Sequence, residues 1–280
     1  KHVSERPYEH LYESLSYHLP LPTLFQSKKQ ARLRFVEAAN LPFDTFPDYL
    51  CYEIIPMFWD CWPRFFDKVA AWLKRHQVRT AFFTSSQTAE RMRSLCPNVN
   101  INHLPEAIET ELYHAGKPLS ERSIDYLEFG RCSRILDSTQ FDKSIIVLSS
   151  RNERTGLKTR AQLADALADS KITLALTRLD NQPELAEGVD TLTQRYWECM
   201  LSGVVILGRA PQELIDIIGY DPVVHLDKDN ANDQILGILE HIEDYQELVD
   251  RNRQRALEHG DWKVRIEWMM GVMKKQGYEV

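Results

Sequence analysis

The chain has 280 residues, more than one hydrophobic core usually accommodates, so two domains are expected. Its 43% hydrophobic and 27% charged residues mark an ordinary soluble globular protein, and a formal net charge of −7 argues against nucleic acid as a partner, since phosphates call for a basic excess. The cysteines Cys51, Cys61, Cys96, Cys132 and Cys199 form no C-x-x-C pair and no run of about eighteen apolar residues occurs, which excludes a zinc or redox motif and a membrane-spanning helix and predicts free buried thiols in a reducing cytoplasm.

Residues 1–30 are polar, are broken by Pro20 and Pro22, and read as a helix followed by a loop. "DYLCYEIIPMFW", from residue 48, reads as a strand closed by Pro63, and "RFFDKVAAWLKRHQ" as a helix with Phe66, Val69, Ala70 and Leu73 on one face. "VRTAFFTSS" is a buried strand. "SQTAERMRSLC" is a helix capped by Ser85 or Ser86, and "VNINHLP" is a further strand. Residues 105–123, with Pro105, Gly116 and Pro118, carry no strong period and read as an interdomain linker.

A second alternating series follows. "IDYLEFGR" is a strand, "CSRILDSTQ" a short helix, "KSIIVLSSR" a strand, "TRAQLADALADS" a helix and "KITLALTRL" a strand, with a polar loop to Gly188. A helix from about Leu192 to Ser202 leads to the strand "VVILGRA". The helix "PQELIDIIG" has Pro211 at its start and Gly219 at its end; then come the strand "DPVVHLD" and a helical remainder. The alternation predicts an α/β fold of two Rossmann-like lobes facing a cleft, each a parallel sheet flanked by helices. Domains are placed at 1–118 and 119–280, with Trp262, Ile266, Met269 and Met270 on a last helix that can pack back on the first lobe.

Ligands of such sheets sit at the carboxyl ends of the strands. Polar residues collect there: Arg131, Ser149 to Arg151, Thr177 to Asn181, and above all "GVDTLTQRYWECMLSGVVILG", 188–208. Asp190, Thr191 or Thr193 can cap the helix in this stretch, whose first amides and dipole favour an anion. Gln194 and Arg195 stand at that end as donors to a phosphate. Glu198, one turn further, is an acceptor-only carboxylate that can hold a pair of ribose hydroxyls. A capped amphipathic helix with a solvated face accounts for the same residues equally well.

In the first lobe, Asp60 lies between Trp59 and Trp62. Aromatic faces stack on sugar rings, and a carboxylate binds a hydroxyl or serves as a base. Glu53 is a second carboxylate on that strand, and His103 ends a neighbouring one. Core packing of the aromatics and a structural histidine are the competing assignments. "DKD", 227–229, reads as an acidic turn rather than a metal site. No G-x-S-x-G, Walker or G-x-G-x-x-G element occurs, which argues against a conventional NAD enzyme.

"DTLTQRYWECMLSGVVILGRAPQEL" resembles the donor-binding helix of GT-B glycosyltransferases of the family 1/4-like group, in which two acidic residues stand eight positions apart ahead of a small or apolar stretch, a glycine and a strand. Asp190 and Glu198 have that spacing, with Asp190 where the family carries Glu. "INHLPEAIETELYHAG" resembles the family's crossing between lobes, and "IDYLEFGR" its first donor-lobe strand. The likeness spans about residues 45–270 and is nearest to bacterial surface-polysaccharide transferases.

The resemblance implies a transferase that moves a sugar from a nucleotide diphosphate to a glycan or lipid-linked glycan. The nucleotide sugar, with UDP or GDP, is a co-substrate; no cofactor and no metal are implied. Arg131 and one of Arg151, Arg154, Lys158 or Arg178 would face the diphosphate, with Thr191, Thr193, Gln194 and Arg195 at the helix end. Glu198 would take the ribose, and Asp190 the sugar or phosphate. Glu53, Trp59, Asp60, Trp62 and His103 would face the acceptor, with retention of configuration, or with Asp60 as base if the reaction inverts. The expected location is the cytoplasm, with peripheral association at the inner membrane face allowed. A sugar-nucleotide epimerase on the same fold, or a non-catalytic nucleotide-sugar or glycan-binding subunit, fits the residues as alternatives.

Overall fold

The computed structural model describes residues 30–130, 141, 143–150 and 157–279. They form two compact units. One comprises the described part of Lys1–Pro105 with Glu184–Val189 and Trp268–Val280, the other Glu106–Pro183 with Asp190–Glu267. The break falls after Pro105, so residues 106–118, which the sequence assigns to the first domain, group with the second.

The first unit holds a parallel sheet in the order β1 (Ala31–Glu37), β2 (Glu53–Trp59), β3 (Thr80–Phe83), β4 (Asn100–His103). Parallel neighbours need crossovers. Helices α1 (Phe66–Arg75) and α2 (Ser86–Leu95) supply two of them. Ser85 caps α2, accepting from the Thr88 amide. The core contains Phe58, Trp72, Leu73, Phe83 and Met92, with the Phe58 and Phe83 rings stacked at 4.7 Å.

Residues 31–37, to which the sequence reading assigns no element, form β1. It is an edge strand, so Arg32 and Arg34 can point away from the core, and both pair with the buried carboxylate of Asp48. One expectation is corrected here: the first predicted strand begins too early, because Asp48–Cys51 is a short helix and β2 starts at Glu53.

The second unit holds a five-stranded parallel sheet, order β6-β5-β7-β8-β9, from β5 (Ile124–Glu128), β6 (Val147–Ser149), β7 (Ser170–Ala175), β8 (Val205–Gly208) and β9 (Val224–His225). Helices α3 (Arg160–Ala168), α4 (Gln194–Ser202), α5 (Gln212–Ile218), α6 (Ala231–Glu240) and α7 (Gln246–His259) pack against it. Leu127 and Ile206 face a core with Tyr196, Trp197, Met200 and Leu214. Their neighbours Tyr126, Val205 and Leu207 face the opposite core with Ile235, Ile238 and Val249. A sheet covered on both faces explains why these strands read as unbroken apolar runs. A Cβ at Gly208 would lie 1.9 Å from the Ala175 carbonyl oxygen, so only glycine lets β8 end this close to β7.

The stretch read as a linker is anchored rather than loose. Ile108 bridges Asp261; Ile108, Tyr113 and Leu119 are buried; Arg122 donates to the Lys117 and Ser170 carbonyls. The polar loop before Gly188 contains two short helices, Arg178–Asn181 and Pro183–Ala186. The last long helix, α8 (Trp262–Lys275), is continuous, and from Trp268 onward it groups with the first unit, where Trp268 meets Phe82 edge-on at 6.3 Å. Among the described residues Cys61, Cys96 and Cys199 are free and buried; burial pushes the Cys61 thiol up to about 12 and raises the other two, so none is a ready nucleophile. No helix among the described residues is long and apolar enough to cross a membrane.

Candidate functional site

The carboxyl ends of β5, β7 and β8 present Phe129–Gly130, Leu176–Thr177–Arg178 and Arg209 in turn. The start of α4 belongs to the same unit. Thr193 is its N-cap and makes no side-chain capping bond. The lead-in is fixed instead by Glu213 of α5, a residue 7% exposed, whose Oε2 accepts the Leu192 amide at 2.8 Å. Thr191 is buried beside it, so its hydroxyl is part of the packing rather than of an open surface. Gln194 is the first residue of the helix.

Two arginines differ sharply in their surroundings. Arg209 donates from Nη1 to Asp190 Oδ2 (2.8 Å) and from Nη2 to Asp190 Oδ1 (3.0 Å). It also donates from Nε and Nη2 to Asp180 at 2.8 to 3.1 Å, and from Nη2 to Thr177 at 2.9 Å. All three nitrogens are engaged. The Asp190 hydrogen bonds, followed by those of Asp180, hold this guanidinium firmly protonated against the cost of burial. Burial raises the Asp180 carboxyl, but the bonds from Arg209 and Thr177 outweigh it and lower it overall. Asp190 is therefore oriented by Arg209, with both oxygens already accepting.

Arg195, by contrast, pairs with no carboxylate among the described residues. Its guanidinium lies over the Phe129 ring, 5.0 Å from the centroid, against Gly130 at the end of β5. Gly130 has φ +66°, and a Cβ there would fall 2.0 Å from Arg195 Nη2. Gly130→Ala should thus cost only about 1–2 kcal/mol of stability through its left-handed backbone, because the arginine tip can swing aside. It should cost far more in any activity that needs Arg195 in place; thermal melting beside turnover would separate the two.

Glu198 lies on the Gln194 face of α4 and lines a cavity of about 300 Å³ in the second unit, together with Tyr113, Arg160, Gln194, Trp262 and Lys263. Tyr113 donates its hydroxyl to Glu198 Oε1 at 2.7 Å. Carboxylates, cations, an amide and two aromatic rings around one space suit a polyhydroxylated ligand with a flat group attached.

The remaining predicted positions are distributed as follows. Arg131, Arg151 and Arg154 lie outside the described residues. Lys158 is exposed just ahead of the Thr159–Gln162 capping box of α3. Arg178 is half-buried at the start of its short helix.

In the first unit Trp59 ends β2 and meets the exposed Phe35 ring at 5.9 Å, and Asp60 follows it exposed, with φ +49°. His103 ends β4 half-buried. Trp62 is only 4% exposed, so it packs the core rather than offering a face to a sugar. Glu53 is also displaced from its expected place. It begins β2, at the far end from Trp59 and Asp60, and is spent on Arg79 (2.7 and 2.8 Å) and the Tyr278 hydroxyl (2.6 Å). Asp227 of the DKD stretch accepts from the Asp229 amide and the Asn230 side chain, a self-satisfied turn.

Sequence reasoning passed over Arg209, Glu213 and Tyr113. Arg209 carried a usable signal, since it directly follows the last residue of β8.

Comparisons with known proteins bear on this arrangement. Residues 140–271 match the family model described as "Glycosyl transferase-like". No curated protein matches the chain. Among solved structures, sucrose-phosphate synthase from Thermosynechococcus elongatus is similar with a TM-score of 0.62 at 11% identity, over 99% of this chain and 81% of that one. The chain has the GT-B glycosyltransferase fold. TarM (TM-score 0.57, 10% identity, 90% of this chain and 57% of that one) and a glycosyltransferase from Rickettsia africae (0.54, 9%, 98% and 83%) share it. The match to the glycosyl transferase-like model supports glycosyl transfer as the general activity.

Proposed function

We propose that this GT-B protein transfers a sugar from a nucleotide diphosphate to a glycan or lipid-linked glycan acceptor, in the synthesis of a surface polysaccharide. The observation that carries the reading is the division of labour on α4. Glu198 opens into the cavity, while Arg195, one helix position beyond Gln194, rests at the end of β5 without a carboxylate partner among the described residues. A ribose diol at Glu198 then leaves the diphosphate near the first amides of α4 and Arg195, where the helix dipole favours an anion. Asp190, held by Arg209, faces the sugar.

As the bond from the anomeric carbon to the phosphate oxygen breaks, negative charge grows on the diphosphate. Donors fixed there bind the transition state better than the ground state. The acceptor oxygen forms the new bond to the anomeric carbon and gives up its proton. In the retaining course, which the family likeness favours, a leaving-phosphate oxygen takes that proton; in the inverting course Asp60 would take it. The diphosphate charge is met by amides and guanidinium groups, so the reaction as written calls for no metal. Trp59, half-buried, and Asp60, exposed, at the end of β2 are the acceptor-side groups. The exposed Phe35 ring beside the half-buried Trp59 suits the edge of a sugar or lipid and fits a protein that works at the inner membrane face.

Thermal melting with UDP, GDP, CDP and dTDP tests the donor assignment. A specific nucleotide at one hundred times its Kd should add about 2.7 kcal/mol of stability. A melting point unmoved by all four would refute it.

A further inference from the structure

We propose that Tyr113 is a positioning residue: it holds the Glu198 carboxylate in one orientation and thereby sets how strongly that carboxylate takes the ribose diol assigned to it above. This rests on the donor reading above. Tyr113 reaches the site from the anchored segment 106–123, not from the donor helix. Its ring is 5% exposed and belongs to the core that contains Ile108, Trp197 and Cys199, so its place is fixed by packing.

The phenol can only donate to an ionised carboxylate, and it does so to Oε1 at 2.7 Å. Burial first, and then the neighbouring Glu198 charge, drive the phenol pKa well above its ordinary value, so the proton stays on the tyrosine throughout the working range. No hydrogen bond to Glu198 Oε2 forms among the described residues. One oxygen is thus tied to the protein, and the other is left for a ligand on a side chain that lines the cavity.

The consequence is geometric. An untethered glutamate samples several rotamers and pays side-chain entropy when a ligand orders it. Pinned by Tyr113, Glu198 meets the ligand in one orientation. Oε2 accepts one hydroxyl, and the second lone pair of Oε1 accepts its neighbour. Two adjacent hydroxyls satisfy this arrangement and a deoxygenated ring does not.

The test is calorimetric binding of GDP and UDP, and of their 2′,3′-dideoxy counterparts, to the wild-type chain and to Tyr113→Phe. The wild type should bind at least one ribonucleotide tighter than its dideoxy form by about tenfold or more, the scale of a hydrogen bond to a charged group. Tyr113→Phe should weaken the ribonucleotide by about tenfold and leave the dideoxy form within about twofold, because that ligand never engaged the carboxylate. An equal loss for both forms, no loss for either, or failure of so mild a substitution to fold would each assign Tyr113 to the fold and overturn the proposal. Wild-type protein that binds ribo and dideoxy forms alike would overturn the diol assignment while sparing the donor site. Wild-type protein that binds no nucleotide would remove the donor reading itself, and this proposal with it.

Discussion

Arg195→Ala is expected to lower kcat by about 100- to 1000-fold, the usual cost of removing one fixed donor from a developing anion, while the melting temperature stays nearly unchanged. The second half follows from the environment. Arg195 is half-buried, and among the described residues it pairs with no carboxylate and lies over Phe129. Such a cation–π contact is worth about 0.5–1 kcal/mol at exposed sites. The first half follows from placement, since the guanidinium sits where the proposed diphosphate departs. KM should rise less than kcat falls, because the charge on the diphosphate is larger in the transition state than in the bound donor. Arg195→Lys should recover only part of the rate. An ammonium restores the charge but not the planar fork, and it stacks less well on Phe129. Steady-state nucleotide release is the measurement. Turnover within about threefold of wild type would be too small for a transition-state donor and would transfer the role to Arg131 or Arg151, which lie outside the described residues.

What the sequence revealed and what it hid divide along a physical line. Alternation of apolar runs with helices is local, so the β/α series and the two-unit organisation were readable. The acid spacing of Asp190 and Glu198 is local too, and Glu198 does line a cavity. Groups whose meaning depends on a distant partner were not readable. Arg209 looks like any cation after a strand until Thr177, Asp180 and Asp190 close around it. Tyr113 looked like part of a linker because its partner is 85 residues away. Glu53 was misplaced for a related reason: a carboxylate on a strand is a site candidate only at the carboxyl end, and that depends on where the strand begins. With Asp48–Cys51 helical, Glu53 became the first residue of β2 rather than an interior one. Trp62 shows the limit of composition, since an aromatic beside a carboxylate reads the same in a core as on a sugar platform.

Arg209→Ala is expected to be the most destabilising single change at these strand ends, and its pH dependence should identify why. The substitution leaves Asp180 and Asp190, 14% and 13% exposed at their side chains, facing one another without a countercharge. Removing one member of a fully buried pair costs about 3–5 kcal/mol; Arg209 itself is 33% exposed, so about 2–4 kcal/mol is a fair expectation here. In the wild type the folded Asp180 pKa is depressed below its ordinary value, so its contribution is complete above the unfolded pKa and is lost as pH falls through the folded one. Without the guanidinium the sign inverts. The neighbouring carboxylate then disfavours the Asp180 charge, so protonation of Asp180 stabilises the fold. The stability gap between wild type and variant should therefore be widest at neutral pH and narrow as pH falls towards about 4, near the ordinary carboxylate range. Chemical denaturation of both proteins across that interval measures it, and Asp180→Asn in the Arg209→Ala background should restore part of the loss at neutral pH. A gap of constant size at every pH would mean that Arg209 acts through the packing of its aliphatic stem rather than through its charge on Asp180 and Asp190.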